Sequence, residues 1–540
     1  MDRVLGSGPF REVGVPRVAS SAPDGNFIVV GGVFDRPQWH GHDVSSGPRR
    51  QPGWYPLALY ESGNLSPRHL SATRWPANAI AWHPTLPLVA IGTGAYDGGW
   101  FYQGELLLLN LTTGVTVSLL EDPREVRRIA WRDSRTLDMT VAISSDEDED
   151  RFGTTSLACS ISRDDWGHAT EKMLRMPYGE TPVPEEPRID PAAAAAVIEK
   201  FCDDRGLPWV VRRQVWAVDS LPGGRIVAAL EGVRLECWSP TLEDPLWQLP
   251  VDGVGCQVKV LPDARTALAL TQTPPRFENR GWTLDPSFLA EIDLDQGAVN
   301  TLRELPFPAV VVTRSDGRWA VRDAEHTTRV GAVICSPADA DPAAVELGRY
   351  DLFNHFFDIR YAPDLLFLQG RKDESWQEKW VVSVDAQDGS VRRLFPLEWD
   401  KSRNGHLYGG SGAYLTGRSG PALAHTGHVH DRAGLLPGNS FVVRRAYPTG
   451  APQWVFTADH QATALDADDD FVYVTFNSGE LVILRAEDGS VQARQHLQLD
   501  GHPVVPLALV RLPDSRLAVG TLDGRILVCA LTRLAVSRTS

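Results

Sequence analysis

The chain has 540 residues, of which 43% are hydrophobic and 23% charged, with a formal net charge of −16. That composition excludes global disorder and supplies enough apolar material for a large interior. The acidic balance argues against nucleic acid and against an anionic membrane as partners, because both repel it.

The opening Met1-Asp2-Arg3-Val4-Leu5-Gly6 runs directly into polar, Pro/Gly-rich sequence. No apolar signal-type run and no stretch of about 18 apolar residues is found, so the expected location is the cytoplasm. Only six of the 53 basic residues are lysine, a skew that reads as the mark of a GC-rich, bacterial genome.

From Val15 onward one phrase recurs: an apolar strand, a Pro/Asp/Gly turn, a β-branched strand ending in small residues, a second turn and a further strand. The first copy is interrupted by residues 35–54, an irregular loop rich in Gly, Pro, His and Arg. Further copies begin near Asn78 and Val126.

Residues 175–210 then break the pattern with the Pro-rich segment from Thr181 to Pro187 and a predicted helix from Asp190 through Asp204. Asp190 is placed to cap it, Pro191 suits its first turn and Gly206 stops it. Val197, Ile198, Phe201 and Cys202 form its apolar stripe, which is expected to lie against the outer rim.

The phrase resumes near Gln214, Gly255, Ala309, Asn354, Gly405 and Ala462. Its clearest copy closes the chain, with Pro513-Asp514-Ser515 and Asp523-Gly524 as turns. Ten starts at spacings of about 40–60 residues predict an all-β fold. The expectation is a single large β-propeller over residues 1–540, with about 7 to 10 four-stranded blades and one short helical insertion. Closure is expected from Val15 to Ser20 pairing near the C-terminal strands, which removes the exposed edges of an open array.

In the last copy Gly501-His502 opens the repeat, Asp523 sits in the inter-strand turn, and Cys529-Ala530 stands where a WD-repeat protein carries Trp-Asp. The chain therefore resembles a degenerate WD-repeat propeller. The stretch from Ala446 to Trp454, followed by Ala464-Leu465-Asp466-Ala467, and the stretch from Trp238 to Trp247 are similar to the tryptophan-docking repeats of quinoprotein-like propellers. That resemblance implies rings packed between adjacent blades. It implies no one activity, because propellers host scaffolds and enzymes alike.

Two histidine clusters are candidate metal ligands for a divalent transition ion: His40, His42 and Asp43 in the first loop, and His425, His428, His430 and Asp431 in the eighth copy. Imidazole and carboxylate suit zinc, nickel or ferrous iron, and i, i+2 spacing places residues on one face of a strand. The competing reading is ordinary loop histidines and no cofactor. The acidic runs from Asp146 to Asp150 and from Asp466 to Asp470 lack the EF-hand pattern and read as exposed hairpin tips.

Neither Gly409-Gly410-Ser411-Gly412 nor Gly417-Arg418-Ser419-Gly420 forms a nucleophile elbow, so nothing supports an enzyme. The six cysteines occur singly and read as buried thiols. Of the 17 tryptophans, most lie at strand positions suited to packing, whereas Trp39, Trp54, Trp100 and Trp166 fall in or beside loops and are candidate partner anchors. The functional expectation is a non-catalytic scaffold that binds another protein. The alternatives are a metal- or ligand-dependent enzyme and a small-molecule or peptide binder at the channel mouth.

Overall fold

The computed structural model describes residues 2–34, 55–63, 65–97, 99–175, 181–184, 189–273, 276–278, 281–283, 286–307, 309–323, 332–335, 343–345, 347, 357–370, 379–385, 387–397, 406–417, 419–431 and 434–531. The loop insertion 35–54 lies outside them. The chain divides into two compact units, one joining Met1–Ser7 with Arg212–Ser540 and the other formed by Gly8–Asp35 and Pro52–Val211. Both are built from sheets whose strands pair antiparallel, except that Phe357–Arg360 runs parallel to His406–Leu415.

Each of the ten expected starts falls at or within three residues of an inner strand, or inside one. Seven inner strands belong to the larger unit: Val215–Ser220, the second half of Pro245–Val260, Ala309–Thr313, Phe357–Arg360, His406–Leu415, Ala462–Ala467 and Pro506–Leu512. Each packs beside the next, and Pro506–Leu512 packs beside Val215–Ser220.

Seven apolar layers fill the seven interfaces of this ring. One layer joins Val215, Val218 and Ile226 of the first sheet to Val510 and Ile526 of the seventh. Another joins Leu465 and Val474 of the sixth to Ala424 and Val442 of the fifth. The remaining five lie between the other consecutive pairs. The period-2 alternation gives every blade two apolar faces, and each such side chain stabilises by about 1.5–3 kcal/mol on burial. The larger unit is thus a seven-bladed β-propeller.

Closure differs from the expected pairing. Val15–Ser21 pairs with Phe27–Val33 in the smaller unit, whereas Arg3–Leu5 adds to Ile526–Ala530 as the outermost strand of the seventh sheet. Leu5 is buried in the layer between the seventh and first sheets. Three residues carry too little periodicity to stand out in sequence.

The smaller unit stacks three sheets with inner strands Val15–Ser21, Ala77–Trp82 and Val126–Trp131. The helix is Pro191–Asp203, and the Asp190 side chain accepts from the Ala192 N–H at its start. Its Ile198, Phe201 and Cys202 cover Ile28, Val30 and Tyr60 on the free face of the first sheet. The third sheet meets the second through Leu137, Met139 and Leu157. Its opposite face presents the cross-strand triples Arg128–Thr140–Ala158 and Ala130–Asp138–Ser160, exposed or half-buried and largely polar. One end of the stack is capped by a helix and the other by a polar surface. Thr181–Val183, in the Pro-rich segment, supplies the fourth strand of that last sheet.

One packing device recurs between blades. Trp454 on an outer strand lies over Gly489 in the turn of the next sheet, and its Nε1–H donates to the Ala486 carbonyl at 2.9 Å. Trp247 lies over Gly297 in the same way, and Phe395 over Gly450. These glycines have φ of +72°, +63° and +75° and close the turn by donating to the carbonyl four residues earlier. The docking expected from the Trp454 and Trp247 segments is the arrangement found.

Candidate functional site

The sequence-derived candidates are dispersed. His40, His42, Asp43, Trp39 and Trp54 lie outside the described residues. His425, His428, His430 and Asp431 share the strand Ala422–Asp431, where His425 and His428, three apart, do not share a face.

His425 is fully buried. Its Nε2 accepts from Arg445 Nε at 3.3 Å and its Nδ1 lies 3.1 Å from the Thr426 carbonyl. Burial, reinforced by the Arg445 charge, pulls its pKa down to about 3. With both ring nitrogens engaged, it serves as a neutral internal hydrogen-bonding group, which corrects its assignment as a ligand. His428 stacks on Tyr408 with ring centroids 5.0 Å apart. Among the described residues no group of three His, Cys, Asp or Glu side chains converges as a metal site.

Trp166 is 1% exposed, lies edge-on to Trp131 and donates Nε1–H to the Arg135 carbonyl at 2.9 Å. It belongs to the layer between the second and third sheets of the smaller unit, so its expected role as a surface anchor is corrected to packing. Cys159, Cys202, Cys237, Cys256 and Cys529 are buried free thiols.

Trp100 is 59% exposed and the adjacent Phe101 is 50% exposed. They sit at the tip between strands Leu88–Tyr96 and Tyr102–Asn110. Asp97 Oδ1 accepts from the backbone N–H groups of Gly99, Trp100 and Phe101 at 2.8, 2.8 and 3.0 Å. The Phe101 and other N–H groups hold the Asp97 carboxyl below the usual range. Tyr96 donates its hydroxyl to Asp146 at 2.5 Å, which pushes the phenol up to about 12. The Asp146 N–H donates to the Trp100 carbonyl at 3.1 Å. Two exposed aromatic side chains thus stand on a backbone fixed from three sides. The surrounding Asp97, Glu147, Glu149 and Asp150 are exposed.

The sequence reading missed a buried charge cluster inside the seven-bladed ring. Arg360, on the fourth inner strand Phe357–Arg360, which pairs in parallel with His406–Leu415, donates NH1 to Asp219 Oδ1 at 2.9 Å and NH2 to the Val218 carbonyl at 3.0 Å, both on the first sheet, and reaches the Leu509 carbonyl of the seventh at 3.4 Å. A side chain that bridges the fourth inner strand to the first and seventh sheets crosses the ring. Asp219 Oδ2 accepts from Val260 N on the second sheet at 2.9 Å, and Asp466 Oδ2 from Arg511 N on the seventh at 2.7 Å. Lys259 joins electrostatically with Arg360, Asp219 and Asp466.

Asp219, Lys259 and Arg360 each stand three residues before Pro222, Pro262 and Pro363, and Asp466 stands three before Asp469 at the matching turn. Superposing the repeats finds this position; scanning for motifs does not. Asp466 is therefore no exposed tip residue, and Asp468 bonds to Phe471 N and the Tyr473 hydroxyl within the turn.

Burial pulls the Lys259 ammonium down to about 7, with the Arg360 charge acting in the same direction. An unfolded lysine titrates near about 10.4, so between these values the unfolded chain binds one more proton and stability rises with pH. We expect denaturant unfolding between pH 7 and 8.5 to show the ring gaining about 1 kcal/mol per pH unit, a slope that Lys259→Met removes. A wild-type profile without that rise, or the same rise in the variant, contradicts this.

The smaller unit also holds a cleft of about 1460 Å³ lined by the three inner strands, the start of the helix and the third sheet. Arg17, Asn78, Arg127 and Arg128 face it. Arg127 NH1 donates to Thr155 and Ser156 at 2.7–3.0 Å, and Arg127 pairs with Glu125 at 3.2 Å. The arrangement can hold a partner or an oxyanion.

Fold and sites together define a β-propeller protein with a preorganised aromatic tip. No family model matches the chain, and no curated protein matches it. Among solved structures it is similar to a chain in one described as "Crystal Structure of Mitotic Checkpoint Complex", at 12% identity and a TM-score of 0.42, over 59% of this chain and 87% of that one. No described helix is long and apolar enough to cross a membrane.

Proposed function

We propose that the protein is a non-catalytic interaction scaffold whose smaller unit engages a basic protein surface through the tip bearing Trp100 and Phe101. The observation that carries this reading is the pairing of two exposed aromatic side chains with a backbone locked by Asp97. Rigid aromatic anchors lose little freedom on binding and dominate contact energies. The exposed carboxylates beside the tip, which outnumber the one exposed guanidinium of Arg151 there, favour a basic partner and repel acidic surfaces.

The test is affinity capture with tagged wild-type and Trp100→Ala/Phe101→Ala protein, followed by measurement of the retained partner's affinity. The expected result is a partner with a basic contact surface whose affinity falls at least about tenfold in the variant, as for an interfacial hot spot, and which weakens with salt. A partner that binds the variant equally well, or that meets the scaffold through an acidic surface, removes the proposal.

A further inference from the structure

Among the described residues, the cleft of the smaller unit contains a cation without an ion-paired partner. Arg17, on the innermost strand of the first sheet, makes one hydrogen bond, from NH2 to Asn78 Oδ1 at 3.3 Å. Its Nε is buried with no partner. Burial pulls the guanidinium's pKa down, against the more distant attraction of Tyr55 and Glu125.

The described carboxylates lining the same cleft have their own partners. Glu125 pairs with Arg127 at 3.2 Å, Asp138 with Arg132 at 2.7 Å, and Asp190 caps the helix through Ala192 N at 2.9 Å. Asn78 is also fixed, its Nδ2 donating to the Gly94 and Val126 carbonyls at 3.0 and 3.3 Å. That leaves its Oδ1 to orient Arg17.

A half-buried guanidinium with one neutral partner is destabilising as it stands, because its desolvation is not offset by an opposite charge. Such a group is worth keeping where an anion completes it. We infer that the cleft is a binding site for an oxyanion-bearing ligand, a carboxylate or a phosphate, with Arg17 as its principal anchor. Arg128 on the third sheet lines the same space and adds positive charge. The space is larger than a lone ion needs, so the anion is the charged end of a bigger molecule.

The experiment titrates the full chain calorimetrically with citrate and, separately, with inorganic phosphate, each at matched ionic strength in sodium chloride. At least one is expected to bind with 1:1 stoichiometry. Citrate alone identifies a carboxylate site and phosphate alone a phosphate site. Arg17→Gln is expected to weaken that binding at least tenfold, while the ligand-free variant melts no lower than wild type, because a cation lacking its counterion has been removed. Three results overturn the inference: neither anion binds wild type, Arg17→Gln binds as tightly, or the ligand-free variant melts well below wild type, which makes Arg17 a structural cation. Arg17→Lys, which keeps the charge but not the fork, is expected to retain part of the affinity.

Discussion

Replacing Arg360 by methionine is expected to destabilise the seven-bladed ring by about 3–5 kcal/mol, because it takes from the buried Asp219 and Asp466 their guanidinium and leaves only Lys259, whose charged form burial disfavours. The guanidinium links three sheets at once, so the loss is not local to the fourth sheet. Hydrogen exchange should quicken at Val218 and Leu509 together, although the two belong to different sheets. Arg360→Lys is expected to recover little, since a single ammonium does not reproduce a fork that meets one carboxylate and two carbonyls. The combined Arg360→Met, Asp219→Asn, Asp466→Asn protein should be more stable than Arg360→Met alone, because the two carboxylates left short of their cation are gone and Lys259 is already biased toward its neutral form by burial. If Arg360→Met unfolds at the wild-type denaturant concentration, the cluster is not what ties opposite sides of the ring together.

The second large effect is expected at Gly489. A Cβ there meets the Trp454 ring at 2.7 Å on a backbone with φ of +72°, so both the side chain and the turn must move. Gly489→Ala should cost about 2–4 kcal/mol, combining overpacking with the left-handed penalty. Gly501 supplies the control: its φ is +81° but no atom lies within 4 Å of an added Cβ. Gly501→Ala should therefore cost only the backbone share, about 1 kcal/mol. Thermal melts of the two variants compare them directly. Equal losses would show that the turn alone, and not the docked ring, governs the position.

Much of the fold was legible because blades repeat. Apolar alternation interrupted by Asp/Gly and Pro/Asp turns marked the starts of all ten inner strands, and Asp190-Pro191 marked the helix. How ten blades divide between a ring of seven and a stack of three was not legible. The layer that closes the ring uses Val215, Val510 and Ile526, residues of the same kind as those in every other layer.

The sites were less readable for related reasons. Trp166 carries a loop-like sequence context yet is drawn into a core by Trp131. Asp466 hides in an acidic run because its burial depends on Arg511 and Arg360, which are distant in sequence or on another sheet. Trp100 was readable as an anchor candidate, but the hydrogen bonds that fix it converge from Asp97 and Asp146, nearly fifty residues apart.

A stack of β-sheets that does not close on itself is, in principle, a monomer waiting to polymerise, since each free face could take the opposite face of another molecule and the contact would never saturate. In the smaller unit the two free faces do not match. The first sheet has surrendered its apolar face to Ile198 and Phe201 of the helix, and the third offers Arg128, Asp138 and Ser160, which a hydrocarbon surface cannot satisfy. Neither face therefore offers a bare hydrocarbon surface on which a second copy could continue the stack.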